Sequence, residues 1–135
     1  MNKYVSWGEV DKLCHELAQT LKANSAVRHG SGILAVARGG LVPATILAYA
    51  MRLPILGTLA QPNTQCSARE DLLIVDDICD TGRTFADLRR NFANSVYIAM
   101  IVKPAGTLYC HCWAQAVPQD YWVVFPWAPY DEINR

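Results

Sequence analysis

The sequence predicts an α/β fold, in which a mostly parallel, twisted sheet is flanked by helices. Two short runs, at 33–37 and 72–75, are wholly apolar, which is typical of strands buried on both faces of a sheet. Segments with helical periodicity lie between such runs, and this alternation favours βαβ crossovers. The chain has 135 residues, 52% of them hydrophobic, so we expect one domain, 1–135, with a sizeable core.

The N-terminal half carries two predicted helices. Ser6 and Glu9 have the spacing of a capping box, and apolar residues recur at helical intervals from Trp7 onward. This pattern predicts an amphipathic helix that ends near Asn24. The predicted elements that follow are a strand at 33–37, a turn at 38–40, a helix at 41–51 and a strand at 53–56.

The C-terminal half continues the alternation of strands and helices. Residues 61–69 are polar and are predicted to form a loop before the buried strand at 72–75. The predicted elements that follow are a turn around 80–82, a helix whose apolar face contains Phe85, Leu88 and Phe92, a strand at 96–102, and short strands and loops in the remainder.

Charge and cysteine usage exclude several classes of protein. Twelve Lys and Arg residues balance twelve Asp and Glu residues, so the chain lacks the basic excess of a nucleic-acid binder. The most membrane-like stretch, 41–60, is interrupted by Pro43, Arg52 and Pro54, and residues 1–9 lack the pattern of a secretory signal. Five cysteines at irregular spacings favour reduced thiols. We therefore expect a cytoplasmic protein with neither a nucleic acid nor a membrane as partner.

The most informative segment, residues 72–84, has the sequence LLIVDDICDTGRT. Its apolar strand delivers Asp76 and Asp77 to a carboxyl end, which is where open α/β sheets bind ligands. The loop that follows enters a helix with a glycine and two hydroxyl groups, which are features of a phosphate cradle. Carboxylates beside a phosphate site indicate Mg²⁺ or hydroxyl groups as partners. In the alternative interpretation, the carboxylates only solvate a strand end and cap a helix.

The same segment resembles the phosphoribosyl pyrophosphate (PRPP) signature of the type I phosphoribosyltransferases: four apolar residues, two acidic residues, then Asp-Thr/Ser-Gly-x-Thr. Residues 35–43 resemble the pyrophosphate loop of this family, with Arg38, Gly39 and Gly40 after the first core strand. Arg38 is a bidentate donor, and glycines let backbone amides approach an anion closely. The alternative is a tight turn with a surface arginine. Ala37 stands where the family often has Ser or Thr.

Two C-terminal segments resemble the bacterial xanthine-guanine branch of the family. They are KPAG at 103–106 and PQDYW at 118–122, followed by FPW at 125–127. The resemblance implies that Lys103 donates to O6 of a 6-oxopurine, that Trp122 stacks on the base, and that Val123 offers its backbone. These residues would form a small C-terminal base-binding hood. The alternatives are a surface lysine beside a turn and a tryptophan in the core.

The resemblance implies a purine phosphoribosyltransferase of type I fold. A 6-oxopurine (guanine, xanthine or hypoxanthine) and PRPP would give the nucleoside 5′-monophosphate and pyrophosphate, with Mg²⁺ as cofactor and a homodimer or homotetramer as the assembly. The implied site residues are Arg38, Gly39 and Gly40 at the pyrophosphate, Asp76 and Asp77 at the ribose hydroxyls, and Asp80, Thr81, Gly82, Arg83 and Thr84 at the 5′-phosphate. Asp77 is expected nearer the metal, Asp80 as general base at purine N7, and Arg38 as an aid to the departure of pyrophosphate.

One departure from the family leaves alternatives open. The segment between the pyrophosphate loop and the PRPP signature is shorter than usual, so residues 61–69, with Ser67 and Arg69, would form only an abbreviated lid. A truncated lid favours a non-catalytic PRPP- or nucleotide-binding regulatory protein. A second alternative is an enzyme for another base, such as a pyrimidine, which Lys103 and Trp122 disfavour.

Overall fold

A five-stranded parallel sheet forms the centre of the fold. The computed structural model describes residues 1–25, 27, 31–59 and 71–128. In chain order, the elements are β1 (Asn2–Tyr4), α1 (Trp7–Lys22), β2 (Gly32–Val36), α2 (Leu41–Met51), β3 (Ile55–Leu59), β4 (Leu72–Cys79), α3 (Arg83–Leu88), β5 (Val96–Val102), a 3₁₀ helix (Pro104–Tyr109), β6 (Cys112–Ala116) and β7 (Trp122–Val124). The central strands lie in the order β3-β2-β4-β5-β6, and every neighbouring pair is parallel. The predicted class, with helices flanking a mostly parallel sheet, is confirmed. Within the described ranges, no helix combines the length and apolarity needed to cross a membrane.

Apolar residues on both faces of the sheet pack against helices. Successive residues of a strand point to opposite faces. In β2, Ile33 and Ala35 belong to the core cluster that contains the buried faces of α1 and α2. Leu34 and Val36 belong to the cluster on the other face, together with Phe85 of α3. All five residues of β2 are buried, as a wholly apolar run predicts.

The two long helices have the ends that their sequences predict. The Ser6 hydroxyl accepts a hydrogen bond from the backbone N–H of Glu9 at 3.1 Å, so the predicted N-cap of α1 is confirmed. Helix α2 covers the predicted residues, and Arg52 follows it in the left-handed conformation with φ 55°. The backbone N–H of Leu53 still bonds to the carbonyl of Ala48, and Pro54 comes next. Strand β3 therefore begins at Ile55, two residues later than predicted.

The parallel register brings two polar loops to one edge of the sheet. Ala35 of β2 lies beside Val75 of β4, so the residues after each strand's apolar run are neighbours. The turn that follows β2 covers residues 37–40 and leads into α2. The residues that follow Val75 are Asp76 and Asp77. The glycine loop that follows β2 and the acidic pair within β4 are thus placed side by side.

A second sheet of two strands holds the C-terminal segment. Strand β1 pairs with β7 in parallel, with Asn2 beside Trp122 and Tyr4 beside Val124. The backbone N–H of Trp122 also donates to the carbonyl of Met1 at 2.9 Å. This sheet contains Val123 and fixes the backbone on which the proposed base-binding residues lie.

The structure also corrects the ends of two further elements and adds one element that was not predicted. Strand β4 does not end before the acidic pair but runs to Cys79, because its ladder with β5 continues to the pair Cys79–Val102. Helix α3 ends at Leu88, and Phe92 is buried beyond it in a turn rather than on the helix. The KPAG segment begins a 3₁₀ helix that the sequence analysis did not predict. The predicted loop at 61–69, with Ser67 and Arg69, lies outside the described residues.

Candidate active site

The acidic pair lies in the strand rather than beyond it, and both side chains turn back on the backbone. Asp76 accepts a hydrogen bond from the N–H of Asp77, and Asp77 accepts one from the N–H of Ile78, each at 2.8 Å. Burial raises the pKa of Asp76 well above its usual range, and the neighbouring charge of Asp77 raises it further. Burial also raises the pKa of Asp77. Two adjacent, partly buried carboxylates therefore favour a cation or hydroxyl donors as an additional partner.

The glycine loop packs directly against this pair. A Cβ atom at Gly39 would overlap the carboxylate of Asp77, and one at Gly40 would overlap the carbonyl oxygens of Val75 and Val36. The N–H of Gly40 donates to the carbonyl of Val36 at 2.8 Å, which closes the turn. At Gly40 only glycine allows so close an approach to backbone atoms, and at Gly39 any larger residue would have to displace the Asp77 carboxylate. The predicted pyrophosphate loop and the predicted PRPP signature are in contact.

The side chain of Arg38 is exposed at this turn. The peptide bond between Ala37 and Arg38 is cis. The N–H of Leu41 donates to the carbonyl of Arg38 at 3.0 Å, so the turn continues directly into α2. The exposed side chain of Arg38 therefore belongs to the same turn that packs, through Gly39, against Asp77.

Residues 76–85 line a cavity of about 240 Å³ at the end of β4. Gly82 has φ 85°, in the left-handed region that favours glycine, and it caps the N-terminus of α3. The hydroxyl of Thr81 accepts a hydrogen bond from the N–H of Arg83 at 3.3 Å. Thr81, Arg83 and Thr84 are exposed. The cavity therefore presents hydroxyl groups and a cationic side chain, as an anion site requires.

The 3₁₀ helix supports this loop from behind. A Cβ atom at Gly82 would overlap the ring of Tyr109, so the ring packs against the glycine. Arg89 donates from Nη2 to the carbonyl of Tyr109 at 3.0 Å, and its guanidinium lies 4.9 Å from the ring centre of Tyr97. Packing against the core cluster that contains Leu34 and Phe85 thus fixes the loop conformation.

Asp80 lies between two donors from the C-terminal part of the chain. The amino group of Lys103, a residue only 4% exposed, lies 3.2 Å from Oδ2 of Asp80. The amide of Gln119 donates from Nε2 to Oδ1 of Asp80 at 2.7 Å. Gln119 also accepts at Oε1 from the N–H of Ala105, at 2.8 Å. The sequence analysis did not single out Gln119, although PQDYW contains it.

Trp122 and Val123 do not line the cavity. Trp122 is 69% exposed and Val123 is half-buried, and both lie in β7. A turn connects them to Gln119, since the N–H of Tyr121 bonds to the carbonyl of Pro118 at 3.2 Å. Exposure excludes the alternative of a core tryptophan, and the burial of Lys103 excludes the alternative of a surface lysine.

Comparison with known proteins first defines the class. No protein-family model matches the chain. A purine phosphoribosyltransferase from Pyrococcus horikoshii superposes with a TM-score of 0.73 at 24% identity, over 93% of each chain. A xanthine-guanine-hypoxanthine phosphoribosyltransferase from Helicobacter pylori gives 0.76 at 18% identity, over 99% of this chain and 96% of that chain. The fold is that of the phosphoribosyltransferases, with the glycine loop and acidic pair at the carboxyl edge of its sheet.

Two curated relatives define the family. The xanthine-guanine phosphoribosyltransferase of Idiomarina loihiensis is 31% identical, and the alignment covers 92% of this chain and 85% of the relative. The protein of the same name from Gluconobacter oxydans is 30% identical, with 91% and 82% covered. The chain belongs to the xanthine-guanine phosphoribosyltransferase family. The predicted family and fold are confirmed.

Proposed function

We propose that the protein transfers the 5-phosphoribosyl group of PRPP to a 6-oxopurine, giving the nucleoside 5′-monophosphate and pyrophosphate. The observation that carries this proposal is the contact between the Lys103 amino group and Asp80. It joins the residue that would recognise the purine to the loop that would hold PRPP. Family membership supports the same reaction.

The two glycine-rich loops supply the anion contacts that PRPP needs. Its 5′-phosphate would lie in the cavity at 76–85, against the hydroxyls of Thr81 and Thr84 and the backbone around Gly82. Its pyrophosphate would lie at the turn of Arg38, because glycine amides and a guanidinium stabilise departing negative charge. The phosphoribosyl group would then be held at both ends during transfer.

Asp76 and Asp77 would hold the ribose hydroxyls between these two anion sites. The carboxylates fit Mg²⁺, because hard cations prefer oxygen ligands. Burial raises the pKa of both acids, so their negative charge would be stabilised by a bound cation. Among the described residues no group of three acidic, His or Cys side chains forms a metal cluster. Asp77 would therefore contribute one ligand, and substrate oxygens or waters the others. When bound, Mg²⁺ supplies charge neutralisation for the leaving pyrophosphate.

The base would approach from the side of Lys103 and Trp122. An ammonium group donates well to a purine O6, and an exposed indole face accepts a stacked purine. Val123 would offer backbone hydrogen bonds to the purine edge. Asp80, whose carboxylate the Lys103 amino group already contacts, would take the proton from the purine as general base.

The test is release of pyrophosphate from PRPP and Mg²⁺, with guanine, xanthine, hypoxanthine, adenine and uracil offered separately. We expect turnover with 6-oxopurines only. Turnover with uracil would support the other-base alternative. No turnover with any base, together with calorimetric binding of PRPP, would support the regulatory alternative. No turnover and no binding of PRPP would refute the proposal.

The cellular setting stays a proposal of the same kind. Cys14, Cys79, Cys110 and Cys112 are free, buried thiols, which supports a reducing compartment such as the cytoplasm. Association into a homodimer or homotetramer stays a prediction.

A further inference from the structure

The side chain of Gln119 has a defined amide orientation. A backbone N–H can only donate, so the atom that faces Ala105 at 2.8 Å must be the amide oxygen. The amide nitrogen is then the atom that faces Asp80, at 2.7 Å from Oδ1. Each polar atom of the amide thus has a partner of the opposite kind, and flipping the amide would break both contacts.

Asp80 needs such a partner because little else restrains it. Its side chain is 46% exposed, and among the described residues it contacts Lys103 and Gln119. If Lys103 also donates to a purine oxygen, as the proposed function requires, its ammonium is shared between base and carboxylate. The amide oxygen of Gln119 is bonded to Ala105, and this bond holds the amide nitrogen facing Asp80.

We propose that Gln119 is a positioning residue that holds the Asp80 carboxylate in one orientation and fastens the turn before Trp122 to the PRPP loop. The inference rests on the proposed function, in which Asp80 is the general base. A carboxylate that is held at Oδ1 presents a fixed lone pair to the purine, and misplacement by about 1 Å can cost a hundredfold in rate. Gln119 acts through Asp80 and need not touch either substrate.

Two substitutions separate the two contacts of Gln119. Gln119→Glu keeps an oxygen for Ala105 but removes the donor to Asp80. Gln119→Met keeps the side-chain length, adds no charge and removes both contacts. Gln19→Ala, at an exposed position of α1, is the control.

The steady-state measurement separates kcat from KM. We expect both Gln119 variants to lower kcat by roughly tenfold or more, because each loses a hydrogen bond to a charged group. The melting temperature of both variants should stay near that of the wild type. KM for PRPP should change less than about threefold in Gln119→Met, which lacks the added charge. In an Asp80→Ala background, the same substitution should change kcat less than about twofold, because the two residues act as one unit.

A role in the turn alone would give a different pattern. Gln119→Glu would then match the wild type, and Gln119→Met would raise KM for the base without lowering kcat. That result overturns the inference, and so do equal effects in the presence and absence of Asp80.

A second readout does not depend on turnover. Loss of the amide donor changes the surroundings of the Asp80 carboxylate, so the NMR chemical shift of its carboxyl carbon, measured at one fixed pH, should move in Gln119→Met and stay unchanged in Gln19→Ala. Lys103, the cation that faces this carboxylate, remains in both proteins. If the wild type turns over no base, the proposed function fails, while this shift still supports the contact between Gln119 and Asp80. An unchanged chemical shift of the Asp80 carboxyl carbon overturns the inference even where the wild type is active.

Discussion

Substitution of Gly39 by alanine tests whether the glycine loop and the acidic pair form one site. The added Cβ would overlap the Asp77 carboxylate, and even the more distant oxygen, Oδ1, lies only 2.9 Å from its position. Ordinary contact requires a displacement of roughly 1 Å. Asp77 also accepts the hydrogen bond from Ile78, so moving the carboxylate strains that bond as well.

The expected cost can be divided between function and stability. A displacement of about 1 Å at a positioning group costs about a hundredfold, so kcat/KM for PRPP should fall by about that factor. Overpacking costs about 1–3 kcal/mol, which for a chain of this size lowers Tm by roughly 3–15 °C. The Mg²⁺ dependence should shift to higher concentration, because Asp77 is the proposed ligand.

The assay compares Gly39→Ala with Gly57→Ala. A Cβ at Gly57, on β3, would meet only Leu34 at 3.9 Å, an ordinary contact. Initial rates are measured against PRPP and against Mg²⁺, and Tm is measured by circular dichroism. Gly57→Ala should behave as the wild type. If Gly39→Ala does so too, the loop does not lie against Asp77 and the reasoning fails.

Four further substitutions separate the proposed roles by kinetics and stability. Asp80→Asn should lower kcat by about a hundredfold or more with little change in PRPP binding, since general bases contribute this much; an unchanged kcat would remove its role. Thr84→Val should raise KM for PRPP at nearly constant kcat, because the lost contact is to a phosphate that does not react. Trp122→Ala should raise KM for the base alone, and equal weakening of both substrates would refute stacking. Asp76→Asn should raise Tm at pH 8, because the raised pKa of Asp76 means that its ionised form destabilises the folded protein. The difference in Tm between the variant and the wild type should shrink as the pH falls through that pKa. A difference in Tm that grows on acidification would contradict this expectation.

The central strands and the main loops could be predicted because their signals are local. The apolar run in β2 specifies a strand buried on both faces, and parallel strands bring their carboxyl ends to one edge of the sheet. The neighbourhood of Arg38 and Asp76 follows from those two facts. The extension of β4 to Cys79 was not predictable in this way, because its cause is a ladder to β5 some twenty residues later.

Gln119 escaped prediction for a related reason. Its role depends on Asp80 and Ala105, which lie 39 and 14 residues away along the chain. No periodicity or spacing within PQDYW distinguishes an exposed turn glutamine from one that bonds to a distant carboxylate. Its only sequence signal was membership in a segment that resembles the family, and that resemblance was applied to Trp122 and Val123.

The burial of Lys103 explains why the residue proposed to bind the purine base and the loop proposed to bind PRPP belong to one structural unit. A charged lysine that is 4% exposed requires a partner, because an unpaired buried charge is strongly destabilising. Asp80 is that partner, and the backbone N–H of Lys103 also bonds to the carbonyl of Cys79, the last residue of β4. The lysine is therefore anchored to the signature segment at both ends. A change that displaces the loop at Asp80 must also move the Lys103 amino group, which is proposed to donate to purine O6. Selectivity for the base and affinity for PRPP should therefore change together when the contact between Lys103 and Asp80 is altered.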